Sequence, residues 1–152
     1  MAIAGAFYHV GIVVSDLPRA MEELGELLGL TWLPAFGQPT YQLLHSEQIP
    51  VEPLVTYSRQ GPPYVELIQQ RPGTVWDATG LHHLGVWTDS MRQESDRFTQ
   101  AGVPLDSVGT DAEGNWTSAC YHRTAEGLRV ELIDIGHSGP RLARYLSGGS
   151  YR

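Results

Sequence analysis

Aromatic and β-branched side chains dominate residues 7–14, where Phe7, Tyr8, Val10, Ile12, Val13 and Val14 predict a strand that ends at Ser15-Asp16. The period then changes. Leu17, Ala20, Met21, Leu24, Leu27 and Leu28 recur at helical spacing with Glu22, Glu23 and Glu26 opposite, so an amphipathic helix follows, capped by Ser15 or Asp16 and stopped at Gly29. A Pro-interrupted stretch, 34–53, leads into strand patterns at 41–45 and 54–58; Gly61-Pro62-Pro63 makes a turn, and 64–69 reads as a strand. After Arg71-Pro72-Gly73 the same order returns. A strand is expected at 81–88 and a helix over about 90–101, with Met91, Ser95 and Phe98 inward and Gly102 closing it. Strands near 103–108, at 116–122 and at 128–134 complete the half, the last two joined through Ala125-Glu126-Gly127. A short helical tail, 140–146, is expected to fray at its Ser-Gly-Gly end.

The two halves also match residue for residue. His9-Val10-Gly11-Ile12 lines up with His83-Leu84-Gly85-Val86, and Val65-Glu66-Leu67-Ile68 with Val130-Glu131-Leu132-Ile133. The chain therefore reads as a duplication of an α+β unit, two β-α-β-β-β modules at about 7–70 and 81–135. A linker at 71–80 joins them, a tail covers 136–152, and the whole, 1–152, forms a single domain. A sheet with one helix on one face leaves its other face open, so two such sheets side by side would enclose a shared concave space.

Composition narrows the function. A net charge of −7 with few cations argues against nucleic acid as a partner. No apolar run is long enough for a membrane span. Residues 1–6 are apolar but lack a basic region, so they are not read as a signal peptide. Cys120 is the single cysteine and there is no CxxC pattern, which fits the reducing cytoplasm.

His9 shares strand parity with Gly11 and Val13, and the repeat places His83 with Gly85 and Trp87. Glu66 and Glu131 sit among apolar neighbours, where a lone carboxylate is costly unless paired or metal-bound. Taken singly, a His at a strand start or a Glu near a strand end is more often structural. The same two types recurring in matched strands point instead to one divalent cation, held by His9, Glu66, His83 and Glu131. Such a nitrogen and oxygen set suits Co, Ni, Mn, Zn or Fe. Tyr64, Trp87 and Arg129 share parity with these ligands; the tyrosine and tryptophan read as packing, and Arg129 as either an anion contact or an ion-pair residue. Trp76 in the linker is a candidate cover for the cavity mouth.

These motifs closely resemble the vicinal oxygen chelate superfamily, the glyoxalase, bleomycin-resistance and dioxygenase group, from about Phe7 to Asp134. The doubled His82-His83 looks most like methylmalonyl-CoA epimerase-like members, in which the second His is the ligand; His82, of opposite parity, is then packed or exposed. The resemblance implies a glyoxalase-like fold, a homodimer, and a metal-dependent isomerase, epimerase or lyase. That chemistry moves a proton beside the carbonyl of a small substrate or acyl thioester through a metal-stabilised enolate. Glu131, Glu47 and Glu66, in that order, are the candidate bases; Glu47-Gln48 matches part of the epimerase loop motif. The alternatives are an iron-dependent ring-cleaving dioxygenase and a non-catalytic binding or resistance protein.

Overall fold

The computed structural model describes residues 7–151; the N-terminal six residues, read above as no signal peptide, lie outside them. Strand β1 (Phe7–Val14) leads into helix α1 (Leu17–Leu28). Of the two expected caps it is Asp16 that serves, its Oδ1 accepting from the Arg19 amide at 3.0 Å, and Gly29 closes the helix in the left-handed region at φ 68°. The rest of the first half is β2 (Phe36–Gly37), β3 (Thr40–Leu44), β4 (Glu47–Val51), β5 (Leu54–Tyr57) and β6 (Tyr64–Gln69). The second half contains β7 (Gly80–Thr88), α2 (Met91–Gln100), β8 (Leu105–Thr110), β9 (Trp116–Arg123) and β10 (Arg129–Asp134), followed by α3 (Ile135–Leu146).

Among the described residues, all ten strands belong to one sheet in the order β2-β5-β6-β1-β7-β10-β9-β8-β3-β4, curled into a half-barrel. Strands β1 and β7 meet antiparallel at the join between the halves, while β6 lies parallel to β1 and β10 parallel to β7. An approximate two-fold axis thus runs between the two copies of the His strand. Alternation then sorts the Val-Glu-Leu-Ile strands. Glu66 and Ile68 face the concave side with Glu131 and Ile133, while Leu67 and Leu132, both 0% exposed, face the convex side where α1 and α2 pack. Burying a leucine in this way contributes about 2 kcal/mol.

Two features depart from the expected modules. The 41–45 strand does not pair within its own half; with β4 it forms a hairpin whose β3 joins β8 of the second half. Its two-residue turn, His45 and Ser46, has both φ values positive (50° and 66°), the geometry that matches strand twist in a tight hairpin. The tail helix starts at Ile135 rather than at residue 140, because Asp134 caps it directly off β10, accepting from the His137 amide at 2.8 Å. Its Leu142 and Tyr145 pack against Tyr8, Leu33, Tyr57 and Ile133, and the Tyr145 hydroxyl donates to the Pro34 carbonyl at 2.9 Å.

Candidate metal centre

The four central strands, β6-β1-β7-β10, carry the four expected ligands in two rows. One row reads Glu66, Gly11, His83 and the other His9, Gly85, Glu131. Each glycine occupies the middle of its row. The His83 ring lies over Gly11 and the His9 ring over Gly85, so closely that a Cβ at either glycine would overlap the imidazole. The repeated His-x-Gly is therefore a matched device. Each glycine supplies the empty space across which the other half's histidine reaches a carboxylate two strands away.

The result is one cluster. His9 Nε2 lies 3.3 Å from Glu66 Oε2 and 3.2 Å from Glu131 Oε2; His83 Nε2 lies 3.1 and 3.2 Å from the same two oxygens. The two Nε2 atoms are 2.7 Å apart. All four residues are buried and their ligand atoms fall within 4.8 Å of one another. Ligands about 2.1 Å from one ion at right angles stand about 3 Å apart, so this spacing fits a single first-row divalent cation. Glu66 Oε2 is buried with no hydrogen-bond partner, which is costly for a carboxylate oxygen unless a cation faces it. The residues are therefore able to hold a metal ion.

Without the ion the charges are shared. Burial alone would raise both carboxylates, but the His9 imidazole holds Glu66 down at about 2, and His83 keeps Glu131 far below the ordinary carboxylate range. Burial opposes protonation of the histidines, yet Glu131 lifts His83 to about 9 and Glu66 raises His9.

Several supporting residues gave no sequence signal of their own. Tyr57 stands opposite Glu66 across β5–β6 and donates to its Oε1 at 2.8 Å. Tyr121 stands opposite Glu131 across β9–β10, and its hydroxyl interacts with that carboxylate while accepting from Trp76 Nε1 at 3.3 Å. The tyrosines thus repeat across the two halves as the ligands do. Aligning residues 54–58 with 118–122 behind the Glu motifs would have revealed them. His82 is buried, as the packed alternative had it, but it does not face away from the ligands: its ring contacts His83. A bulge in the β1–β7 ladder at Gly11/Ile12 breaks the simple alternation on which that parity rested.

A cavity of about 400 Å³ opens onto the cluster. Its walls mix aromatic and aliphatic side chains, among them Tyr8, Phe36, Trp76 and Ile133, with polar ones such as Gln42 and Thr110, and α3 closes one side with His137, Arg141 and Leu142. Trp76 is thus a wall residue, 7% exposed. Other candidates stay outside. Glu47 is exposed at the far end of the β3–β4 hairpin, opposite Leu44, and does not line the cavity, because the hairpin leaves its own half and carries Glu47 to the sheet edge. Arg129 is an ion-pair residue, its Nε donating to Asp106 Oδ2 at 2.6 Å. Trp87 stacks on Tyr8 at 4.4 Å, Tyr64 packs in the same cluster, and burial pushes the Cys120 thiol up to about 12.

The half-barrel's two halves each give one histidine and one glutamate to a buried central cluster able to hold a metal ion, at the foot of a cavity. The chain belongs to the Glyoxalase/Bleomycin resistance protein/Dioxygenase superfamily, which it matches over residues 8–121. Among solved structures it resembles a hypothetical protein of Bacillus halodurans C-125 (17% identity, TM-score 0.58, covering 84% of this chain and 91% of that one). It also resembles methylmalonyl-CoA epimerase of Streptomyces coelicolor in complex with 2-nitronate-propionyl-CoA (14%, 0.56, 84% and 95%). The methylmalonyl-CoA epimerase of Mycobacterium tuberculosis is similar in the same way (16%, 0.55, 84% and 86%). At these identities the likeness is one of fold. No curated protein matches the sequence.

Proposed function

We propose that the protein is a divalent-metal-dependent isomerase, epimerase or lyase that moves a proton next to a carbonyl. The observation that carries this reading is the convergence of His9, Glu66, His83 and Glu131 on one point at the foot of a cavity. These four residues would hold a Co, Ni, Mn, Zn or Fe ion. When bound, the ion would supply Lewis-acid polarisation of a substrate carbonyl and stabilise the enolate charge that develops. The remaining work belongs to the chain. The cavity walls hold the substrate carbonyl against the cluster, and a proton taken from carbon can exchange with solvent before it is returned. Glu131 takes the proton and returns it. Glu66 is the second candidate; Tyr57 donates to its Oε1 as Tyr121 engages Glu131, so each carboxylate keeps a tyrosine partner. Both tyrosines remain neutral donors, since burial and the neighbouring carboxylates push their hydroxyls well above the usual range. A volume of about 400 Å³ suits a small carbonyl compound or the acyl end of a thioester.

The test is metal analysis of the purified protein alongside exchange of substrate α-hydrogen with deuterated solvent, over a panel of acyl-CoAs and α-hydroxyketones. The expected result is one divalent ion per chain and exchange that Glu131→Gln abolishes. Metal content no greater in the wild type than in His83→Ala and Glu131→Ala, or exchange on no member of the panel, would overturn the reading.

A further inference from the structure

The two ligand histidines are treated differently by their surroundings. His9 Nδ1 is buried with no hydrogen-bond partner. His83 Nδ1, by contrast, lies 2.8 Å from His82 Nδ1, and His82 Nε2 lies 2.8 Å from the carbonyl oxygen of Val75 in the linker between the halves. A carbonyl only accepts, so His82 must carry its proton on Nε2. A neutral imidazole has a single N–H, and His82 Nδ1 is therefore a bare acceptor. The proton in the next link must come from His83 Nδ1. With a metal bound, His83 would be neutral with its one proton on Nδ1, which leaves the Nε2 lone pair, set among His9, Glu66 and Glu131, for the ion.

We propose that His82 is a positioning residue for the metal centre: anchored by the Val75 carbonyl, it fixes His83 in the tautomer and orientation that a metal ligand needs. The inference rests on the metal-binding reading above. The anchor is itself held. The Val75 amide donates to Gln42 Oε1 at 3.1 Å, and Gln42, 3% exposed, is a cavity-wall residue on β3. The His82 ring also meets the Tyr121 ring edge-on at 5.4 Å, which restricts its rotation. A ligand histidine whose second nitrogen is oriented in this way typically loses about 10- to 100-fold in metal affinity when the orienting partner is removed.

Two variants separate hydrogen bonding from packing. His82→Phe keeps a planar ring against Tyr121 but removes both hydrogen bonds. His82→Asn gives up volume but returns an acceptor oxygen close to the Nδ1 position. Cobalt(II) titration of the metal-free protein against a competing chelator reads the affinity. The expected result is a loss of about 10- to 100-fold in His82→Phe, with His82→Asn within a few-fold of wild type. If affinity follows packing instead, so that Phe binds as wild type and Asn is the weak one, the proposal is wrong. A second measurement needs no variant. Ring-nitrogen NMR of the wild type should show His82 protonated on Nε2 and bare on Nδ1, with His83 protonated on Nδ1, in both metal-free and zinc-loaded protein. A proton on His82 Nδ1 would overturn the proposal. The NMR result tests the relay even if the wild type binds no metal, in which case the functional reading fails on its own.

Discussion

Replacing Gly85 by alanine adds one methyl group, and the geometry says where it goes. Gly85 lies on β7 opposite His9, and its new Cβ would overlap the imidazole at Cε1, Nδ1 and Nε2. Unbonded carbons settle about 3.5 Å apart, so the ring would have to withdraw by roughly 1.5 Å. It has little room to do so, since Tyr8 and Tyr57 hold it edge-on at centroid distances of 4.4 and 5.5 Å. Metal–ligand distances tolerate about 0.2 Å, so the displacement removes His9 from the ligand set. Overpacking of this kind also costs about 1–3 kcal/mol of stability. Gly85→Ala is therefore expected to bind cobalt(II) at least about a hundredfold more weakly than wild type, more than the loss of an orienting partner alone, while remaining folded by circular dichroism. Gly11→Ala should do the same through His83. Wild-type cobalt affinity in a folded Gly85→Ala would refute the reasoning, since it would mean that His9 does not need the space above that glycine.

Three further outcomes follow from the same geometry. In the metal-free protein Glu66 falls from 4.5 to about 2 and His83 rises from 6.5 to about 9, so their contribution to stability is fullest between about pH 4.5 and 6.5. It fades as pH falls towards 2 and as it rises through 9, and a melting temperature that climbs steadily from pH 6.5 to 9 without metal would contradict this. Because His83 is anchored at Nδ1 and His9 is not, His83→Ala should weaken cobalt binding more than His9→Ala; equal losses by titration would count against a functional difference between the two. Tyr145→Phe removes the bond to Pro34 that ties α3 to the first half, and should cost about 1 kcal/mol in urea unfolding; no change would mean that the helix is held by its apolar face alone.

That these four residues would come together was legible because a repeat magnifies weak signals: one His or one Glu says little, but the same pair in two matched strands says a great deal. The central strands read well for a related reason, as β1, β6, β7 and β10 are short apolar runs between clear turn residues. What the sequence concealed was long-range. Nothing in Thr40–Leu44 states that it will pair with β8, some 65 residues later, because strand propensity is local and partner choice is not. Tyr57 and Tyr121 look like ordinary strand residues until the register sets each opposite a glutamate. His82 was assigned by alternation, a rule that a bulge suspends. Asp134 could be read as the end of a strand, and only the structure shows that it also starts a helix that becomes a wall of the cavity.

The order of strands also governs how copies of this molecule can meet. A sheet of ten strands that does not close has two free margins, each with unpaired backbone groups able to template another strand. Here one margin is β2, two residues long, and the other is β4, which contains Pro50 and begins with the exposed Glu47. Proline offers no amide to an incoming strand, a charged residue at the start of the same strand discourages close approach, and a two-residue edge gives almost nothing to build on. Both margins are therefore poor templates, and the sheet is protected against growth into fibrils by strand addition even though its interior strands are strongly apolar.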